Sequence, residues 1–122
     1  MKTKLALVAL LLATATAADA HHSAAMFDQQ ATKTLTGTVR QFLWSNPHCF
    51  IQLVIKNEAG QDEEWSLEMT APVHLQRLGW SRSSLRTGER ITVKIHPLRD
   101  GNHGGNVLEA TGSDGKLVGK PE

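Results

Sequence analysis

The chain has 122 residues, with 13 Lys and Arg against 12 Asp and Glu, six histidines and one cysteine. That length suits one domain with a single modest core. Near-neutral charge without a basic cluster leaves no electrostatic footprint for nucleic acid, so no nucleic-acid partner is expected. A lone cysteine excludes an intramolecular disulfide.

Residues 1–20 read as a secretory signal. Lys2 and Lys4 supply the positive start, and Leu5 to Ala13 is an unbroken apolar run. That run is too short to span a bilayer and is placed as a signal core should be, so no membrane insertion is expected after processing. Ala18-Asp19-Ala20 has the small-x-small pattern of a signal-peptidase site. Ala15-Thr16-Ala17 satisfies the same rule and would leave three residues ahead of the histidines. A cut after Ala20 makes His21 the mature amino terminus. It also leaves residues 21–122 formally neutral, and protonating the histidines in acid would then make the domain cationic. The expected compartment is periplasmic or secreted.

Residues 21–32 have no sustained period and read as an irregular or extended arm. Lys33 to Trp44 reads as a long first strand. Leu35, Gly37 and Val39 share one parity and Phe42 and Trp44 the other, so a bulge is expected within it, with Gly37 marking the bend. Ser45-Asn46-Pro47 makes a turn. Cys49 to Lys56 is a second strand, and its cysteine is expected to be buried as a small apolar residue. Asn57 to Gly60 is a hairpin loop. Glu63 to Met69 alternates, with Trp65, Leu67 and Met69 facing inward.

The period then changes. Thr70 reads as an N-cap, Pro72 as an early helical residue and Gly79 as a terminator, which predicts a helix over Ala71 to Leu78. Ile91, Val93 and Ile95 alternate with polar neighbours in a fourth strand that Pro97 stops. Arg99 to Gly105 is a glycine-rich loop, and Asn106 to Thr111 is a fifth strand. The order β-β-β-α-β-β, with a long bent first strand, is that of an all-β, OB-fold-like five-stranded barrel with one short helix between strands three and four. A small β-sandwich is the competing architecture.

Such barrels bind ligands at the edge bordered by the loops after strands one and four. Here those loops are Ser45 to His48 and Pro97 to Gly105. They bring His48, His96 and His103 towards one edge. His21 precedes the first strand by about a dozen residues, and an extended chain covers about 3.3–3.6 Å per residue, so the arm reaches the same edge. A terminal histidine offers two donors, its α-amine and its imidazole. Nitrogen-rich sets suit copper, with zinc as the alternative. The expected metal ligands are His21, His22, His48 and His96, in an arrangement like a histidine brace. Met26 or Met69 would add a soft contact for copper(I). The amino-terminal copper motif that needs histidine in third place is absent, because that position is Ser23.

The other candidates read more plainly. His74 is a helix surface residue and His103 a loop residue. The three tryptophans read as packing residues, Glu68 as a salt-bridge partner of Arg99 or His96, and Asp62 to Glu64 as a solvated strand entry. Neither a Gly-x-Ser-x-Gly elbow nor a phosphate-cradling glycine loop occurs. No catalytic set is proposed.

Several segments resemble a family of small exported bacterial proteins designated only as a domain of unknown function. They are His21-His22-Ser23 with Met26-Phe27-Asp28, Leu35 to Val39, Trp44 with Asn46-Pro47-His48, Trp65 to Glu68, Gly79-Trp80, and His96-Pro97 with Asp100-Gly101. The resemblance implies a single periplasmic or secreted domain and supplies no activity. His103 departs from the family pattern, which has Ser or another polar residue nearby.

The resulting expectation is an exported barrel, residues 21–122, that binds a transition metal for handling or sensing. The alternative is a metal-free interaction module holding a peptide, a glycan or a periplasmic protein partner on the face around Trp44, Trp65 and Glu68.

Overall fold

The computed structural model describes residues 24–121. Residues 1–20, read above as a signal, and His21 and His22 lie outside the described residues. The elements are β1 (Lys33–Leu43), β2 (Phe50–Lys56), β3 (Asp62–Glu68), α1 (Pro72–Arg77), β4 (Arg90–Pro97) and β5 (Gly104–Thr111). The five strands close into a barrel in the order β1-β2-β3-β5-β4. The OB-like barrel is therefore formed, and the sandwich is not. Among the described residues no helix is long and apolar enough to cross a membrane.

Closure depends on two features. The first is the length of β1, which pairs with both β4 and β2. Its first half, Lys33 to Thr38, runs antiparallel to β4 from Ile95 to Arg90. Its second half, Thr38 to Leu43, runs antiparallel to β2. The register shifts between Val39 and Gln41, which is the bulge that the parity switch demanded. It lies at Arg40 and not at Gly37. Gly37 has a different role: a Cβ there would lie 2.3 Å from the Val54 carbonyl oxygen, so only glycine lets β1 come this close to β2.

The second feature is the parallel contact of β3 with β5, where Ser66, Leu67 and Glu68 pair with Gly104, Gly105 and Asn106. Strand β5 thus starts two residues earlier than expected, inside the predicted loop. A Cβ on Gly104 would lie 2.6 Å from Leu98 Cδ1 and 3.2 Å from the Ser66 carbonyl oxygen. One on Gly105 would lie 2.7 Å from the His96 carbonyl oxygen. These glycines read as loop from composition, but they are the residues that let three strands converge.

The inward parity of each strand builds the core. Val39, Ile51, Leu53, Leu67, Val93 and Ile95 are completely buried. Burial of each such side chain contributes roughly 1.5–3 kcal/mol. Cys49 joins them, fully buried, with its Sγ 3.8 Å from the Ser45 carbonyl oxygen. Helix α1 places Leu75 in the same cluster, while Val73 is exposed. Ala71 is its N-cap, without a side-chain cap bond, in place of the expected Thr70. The Ala71 carbonyl accepts the amides of His74 and Leu75, and Pro72 has no N–H to satisfy. The helix ends as expected at Gly79, whose φ is +85°. The Gly79 amide donates to Gln76 and the Trp80 amide to Leu75, both at 3.0 Å. This is a Schellman closure, sealed by the buried pair Leu75 and Trp80.

Candidate functional site: a pocket between the arm and the barrel wall

The site begins with strand register. His96 on β4 pairs with Asn106 on β5. Asn106 pairs with Glu68 on β3, and Glu68 pairs with Phe50 on β2. On each strand these residues alternate with inward neighbours: Ile95, Val107, Leu67 and Ile51 are all buried. His96, Asn106 and Glu68 therefore form one outward-facing row across three adjacent strands. His48 lies two residues before Phe50, in the turn after β1. That turn contains a cis Asn46–Pro47 bond and is braced by Ser45 Oγ, which donates to the His48 carbonyl at 2.8 Å.

Over this row lies the arm. Phe27 is its anchor, only 7% exposed, and it bridges to Leu98 in the chain beyond β4. The Asp28 amide donates to the Pro97 carbonyl at 2.8 Å, and the Arg99 amide donates to the Met26 carbonyl at 2.9 Å. Between arm and wall is a pocket of about 220 Å³. Ala24, Phe27 and Gln29 line it from the arm, and His48, Glu68, Met69, His96 and Asn106 from the barrel.

Both histidines of the pocket are held in the same way. His48 Nδ1 is 2.6 Å from Glu68 Oε1. His96 Nδ1 is 2.7 Å from the Ala31 carbonyl oxygen. Each partner is an oxygen acceptor, so each Nδ1 carries the proton. In the neutral ring, Nε2 is then the lone-pair nitrogen. Metal-ligating histidines are oriented by this kind of carboxylate or carbonyl contact. Met69 is a lining residue but is buried in the core at 2% exposure, whereas Met26 is 48% exposed on the arm. Among the described residues no group of three His, Cys, Asp or Glu side chains stands together as a complete metal set.

The structure thus brings His48 and His96 into one pocket, while His21 and His22 lie outside the described residues. His103 is elsewhere. It stacks on Trp65, with ring centroids 4.9 Å apart and planes at 20°, and its Nε2 is 3.6 Å from Glu63 Oε1. His74 is exposed on α1. Glu68 pairs with His48, where Arg99 or His96 was expected. Arg99 turns instead to the arm. The acidic run is individually paired: Asp62 with Lys56, Glu64 with Arg40, and Glu63 with the Trp65 indole. Nor do Trp44 and Trp65 form an open stacking face. Trp65 is 5% exposed inside the barrel, and Trp44 packs edge-on against Phe42. Asn106 gained its place from register alone, and no local pattern in the sequence marked it.

Comparisons with known proteins bear on the fold and the family. No curated protein matches the chain. Among solved structures, two crystal forms of the mitochondrial single-stranded DNA binding protein Rim1 from S. cerevisiae superpose with a TM-score of 0.50. One is 10% identical and covers 74% of this chain and 95% of its own; the other is 8% identical and covers 75% and 97%. The N-terminal domain of PriB from Thermoanaerobacter tencongensis matches at a TM-score of 0.46 and 16% identity, over 77% of this chain and all of its own. At these identities the shared feature is the OB fold. One expectation is nevertheless corrected. Nucleic acid was excluded because the chain is nearly neutral, yet barrels of this architecture include single-stranded DNA binding proteins. Net charge describes the average surface and not one face of it, so it does not exclude such a partner. The profile of a family of unknown function, DUF6152, matches residues 8–107, and the chain belongs to that family.

Proposed function

We propose that this protein is an exported barrel that binds one transition-metal ion, copper in first place and zinc in second, in the pocket between the arm and the barrel wall. The carrying observation is the matched pair of histidines. His48 and His96 line one pocket, and each has its Nδ1 held by an oxygen, which leaves Nε2 as the donor nitrogen. Two imidazoles are half of a site. The other half comes from the arm. Ala24 lines the pocket, and His21 precedes it by three residues, which span at most about 11 Å of extended chain. A cut after Ala20 gives His21 an amine and an imidazole, so that a compact set of nitrogens surrounds the ion. His22 is the neighbouring donor. The reading is one of metal handling or sensing in the periplasm or outside the cell, without catalysis.

The test is a Cu(II) titration of the protein isolated from the exported fraction, after native intact-mass measurement of its amino terminus and bound metal. Tight one-to-one binding is expected, lost in His48→Ala and His96→Ala and weakened by one extra residue ahead of His21. Absence of stoichiometric binding overturns the reading. A fluorescent single-stranded oligonucleotide is titrated in parallel. Tight binding of it, unaffected by removal of the histidines, favours a nucleic-acid function instead.

A further inference from the structure

A second cleft opens where β1 changes partners. Thr38 is the pivot: it pairs with Arg90 of β4 on one side and with Val54 of β2 on the other. Strand β4 covers β1 up to Thr38, and β2 covers it from Thr38 onward. Arg90 is the first residue of β4 and Lys56 the last of β2. A cleft of about 640 Å³ lies at this changeover, lined by both. It shares no lining residue with the pocket under the arm.

The side chains of the cleft follow from strand alternation. Leu35 and Val39 of β1 turn to the core, so Thr36 and Thr38 face outward, and both are exposed. Arg40 at the bulge, Lys56 and Arg90 bring three cations to the lining, against one carboxylate, Asp62. Two of the cations are matched: Lys56 Nζ is 2.6 Å from Asp62 Oδ1, and Arg40 Nη1 bonds Glu64 Oε2. The Arg40 backbone is held as well, because Thr87 Oγ1 donates to its carbonyl at 3.2 Å. Arg90 is exposed and has no carboxylate partner among the described residues. Val54 and Ile55, both half-buried, give the same cleft an apolar side.

Clefts of this size take small molecules. The positive charge selects an anion, and the apolar side selects a body attached to it. A guanidinium presents a planar fork that suits phosphate and carboxylate oxygens. A phosphate ester offers three such oxygens and close to two charges to the donors of Arg90, Arg40 and Thr38, more than a carboxylate can. We propose that this cleft is a second binding site, which takes a small organic phosphate ester. Arg90 and Arg40 hold the phosphate with the Thr38 hydroxyl, and Val54 and Ile55 pack against the organic group. The site stands independently of the metal-binding reading.

The experiment follows the amide resonances of Thr38, Val54 and Arg90 in isotope-labelled protein titrated with phenyl phosphate, inorganic phosphate, benzoate and benzyl alcohol. Phenyl phosphate should give saturable shifts at these amides, with the tightest binding of the four, weakened by added salt. Arg90→Gln should lose about 10-fold in affinity, the size of one charge-assisted hydrogen bond. Thr38→Val, which keeps the shape and removes the hydroxyl, should lose less. His48→Ala should bind phenyl phosphate as the wild type does, whatever its effect on copper. Absence of saturable shifts, or an affinity unchanged in Arg90→Gln, overturns the proposal. Equal binding of benzyl alcohol or of inorganic phosphate overturns it too, by removing the need for the phosphate or for the organic group, and equal binding of benzoate reassigns the cleft to carboxylates. A single-stranded oligonucleotide or an anionic phospholipid vesicle that shifts these amides where phenyl phosphate does not would replace the small ligand with a polymer or a membrane surface.

Discussion

His48 and Glu68, both lining the pocket, are joined at 2.6 Å between Nδ1 and Oε1, with the carboxylate 17% and the imidazole 39% exposed. A pair this accessible contributes at most about 1 kcal/mol to folding. Its consequence is geometric: it fixes which nitrogen of His48 is protonated and how the ring is turned. Glu68→Ala should therefore weaken metal binding by about 10–100-fold and leave thermal stability almost unchanged. Glu68→Gln keeps an acceptor oxygen and should fall between the two. Equal affinity in all three proteins would remove Glu68 from the site.

The same chemistry sets a pH dependence. Imidazole binds a metal through an unprotonated nitrogen, so metal uptake releases protons and competes with them. Copper affinity should fall steadily as the solution is acidified, and titrations in buffers of different ionisation enthalpy should show net proton release. An affinity that does not vary between neutral and mildly acidic solution would point to ligands other than histidine.

Phe27 is the apolar anchor of the arm. It is 7% exposed, it bridges to Leu98, and the amide of the next residue, Asp28, is bonded to the Pro97 carbonyl. Its removal costs roughly 2–3 kcal/mol of buried apolar surface, enough to undock the arm as a local unit. Phe27→Ala should therefore expose the amides of Asp28 and Arg99 to rapid hydrogen exchange while amides in the β1–β4 ladder remain protected. Uniform loss of protection across the barrel would show that the arm is part of the global folding unit.

Gly105 stands where β3, β4 and β5 converge, and a Cβ there would lie 2.6 Å from Ile95 Cδ1 as well as against the His96 backbone. Gly105→Ala forces either the ladder or Ile95 to move. The expected cost is about 1–3 kcal/mol, typical of overpacking, read as a lower urea midpoint with an unchanged slope. Because the displaced backbone is that of His96, metal affinity should fall as well. Gly60→Ala, in the hairpin loop where nothing lies within 4 Å of a Cβ, is strained by its φ of +76° and is the control for a purely local backbone penalty.

Periodicity carried most of the fold. Leu35 and Val39, Trp65 to Met69, and Ile91 to Ile95 are inward at the expected parities because alternation is a property of neighbours along one strand. The bulge in β1 was legible for the same reason, since two apolar parities in one strand cannot share a face without an extra residue. Its place at Arg40 was not, because it depends on where β1 leaves β4 for β2. Gly104 and Gly105 were misread as loop. A glycine has no side chain to declare a strand, and its use here is visible only when Leu98, Ser66 and His96 surround it. The N-cap differed for a local reason: with Pro72 opening the helix, the first orphan donor is already missing, and the Ala71 carbonyl starts the turn without help from Thr70.

By itself, then, the sequence determined an apolar alternation in five strands, one short helix between the third and fourth, and a polar arm that opens with two histidines. Those are short-range properties, written in residue spacing. Only the tertiary structure decided that Glu68 meets His48, that Asn106 stands between Glu68 and His96, and that Arg99 holds the arm. Each of those relationships crosses from one element to another: strand register aligns Glu68, Asn106 and His96, while the turn after β1 brings His48 and the chain beyond β4 brings Arg99. Register is set by the closure of the whole barrel: the parallel contact of β3 with β5 aligns Glu68 with Asn106, the pairing of β4 with β5 adds His96, and the two glycines at the start of β5 let these contacts form.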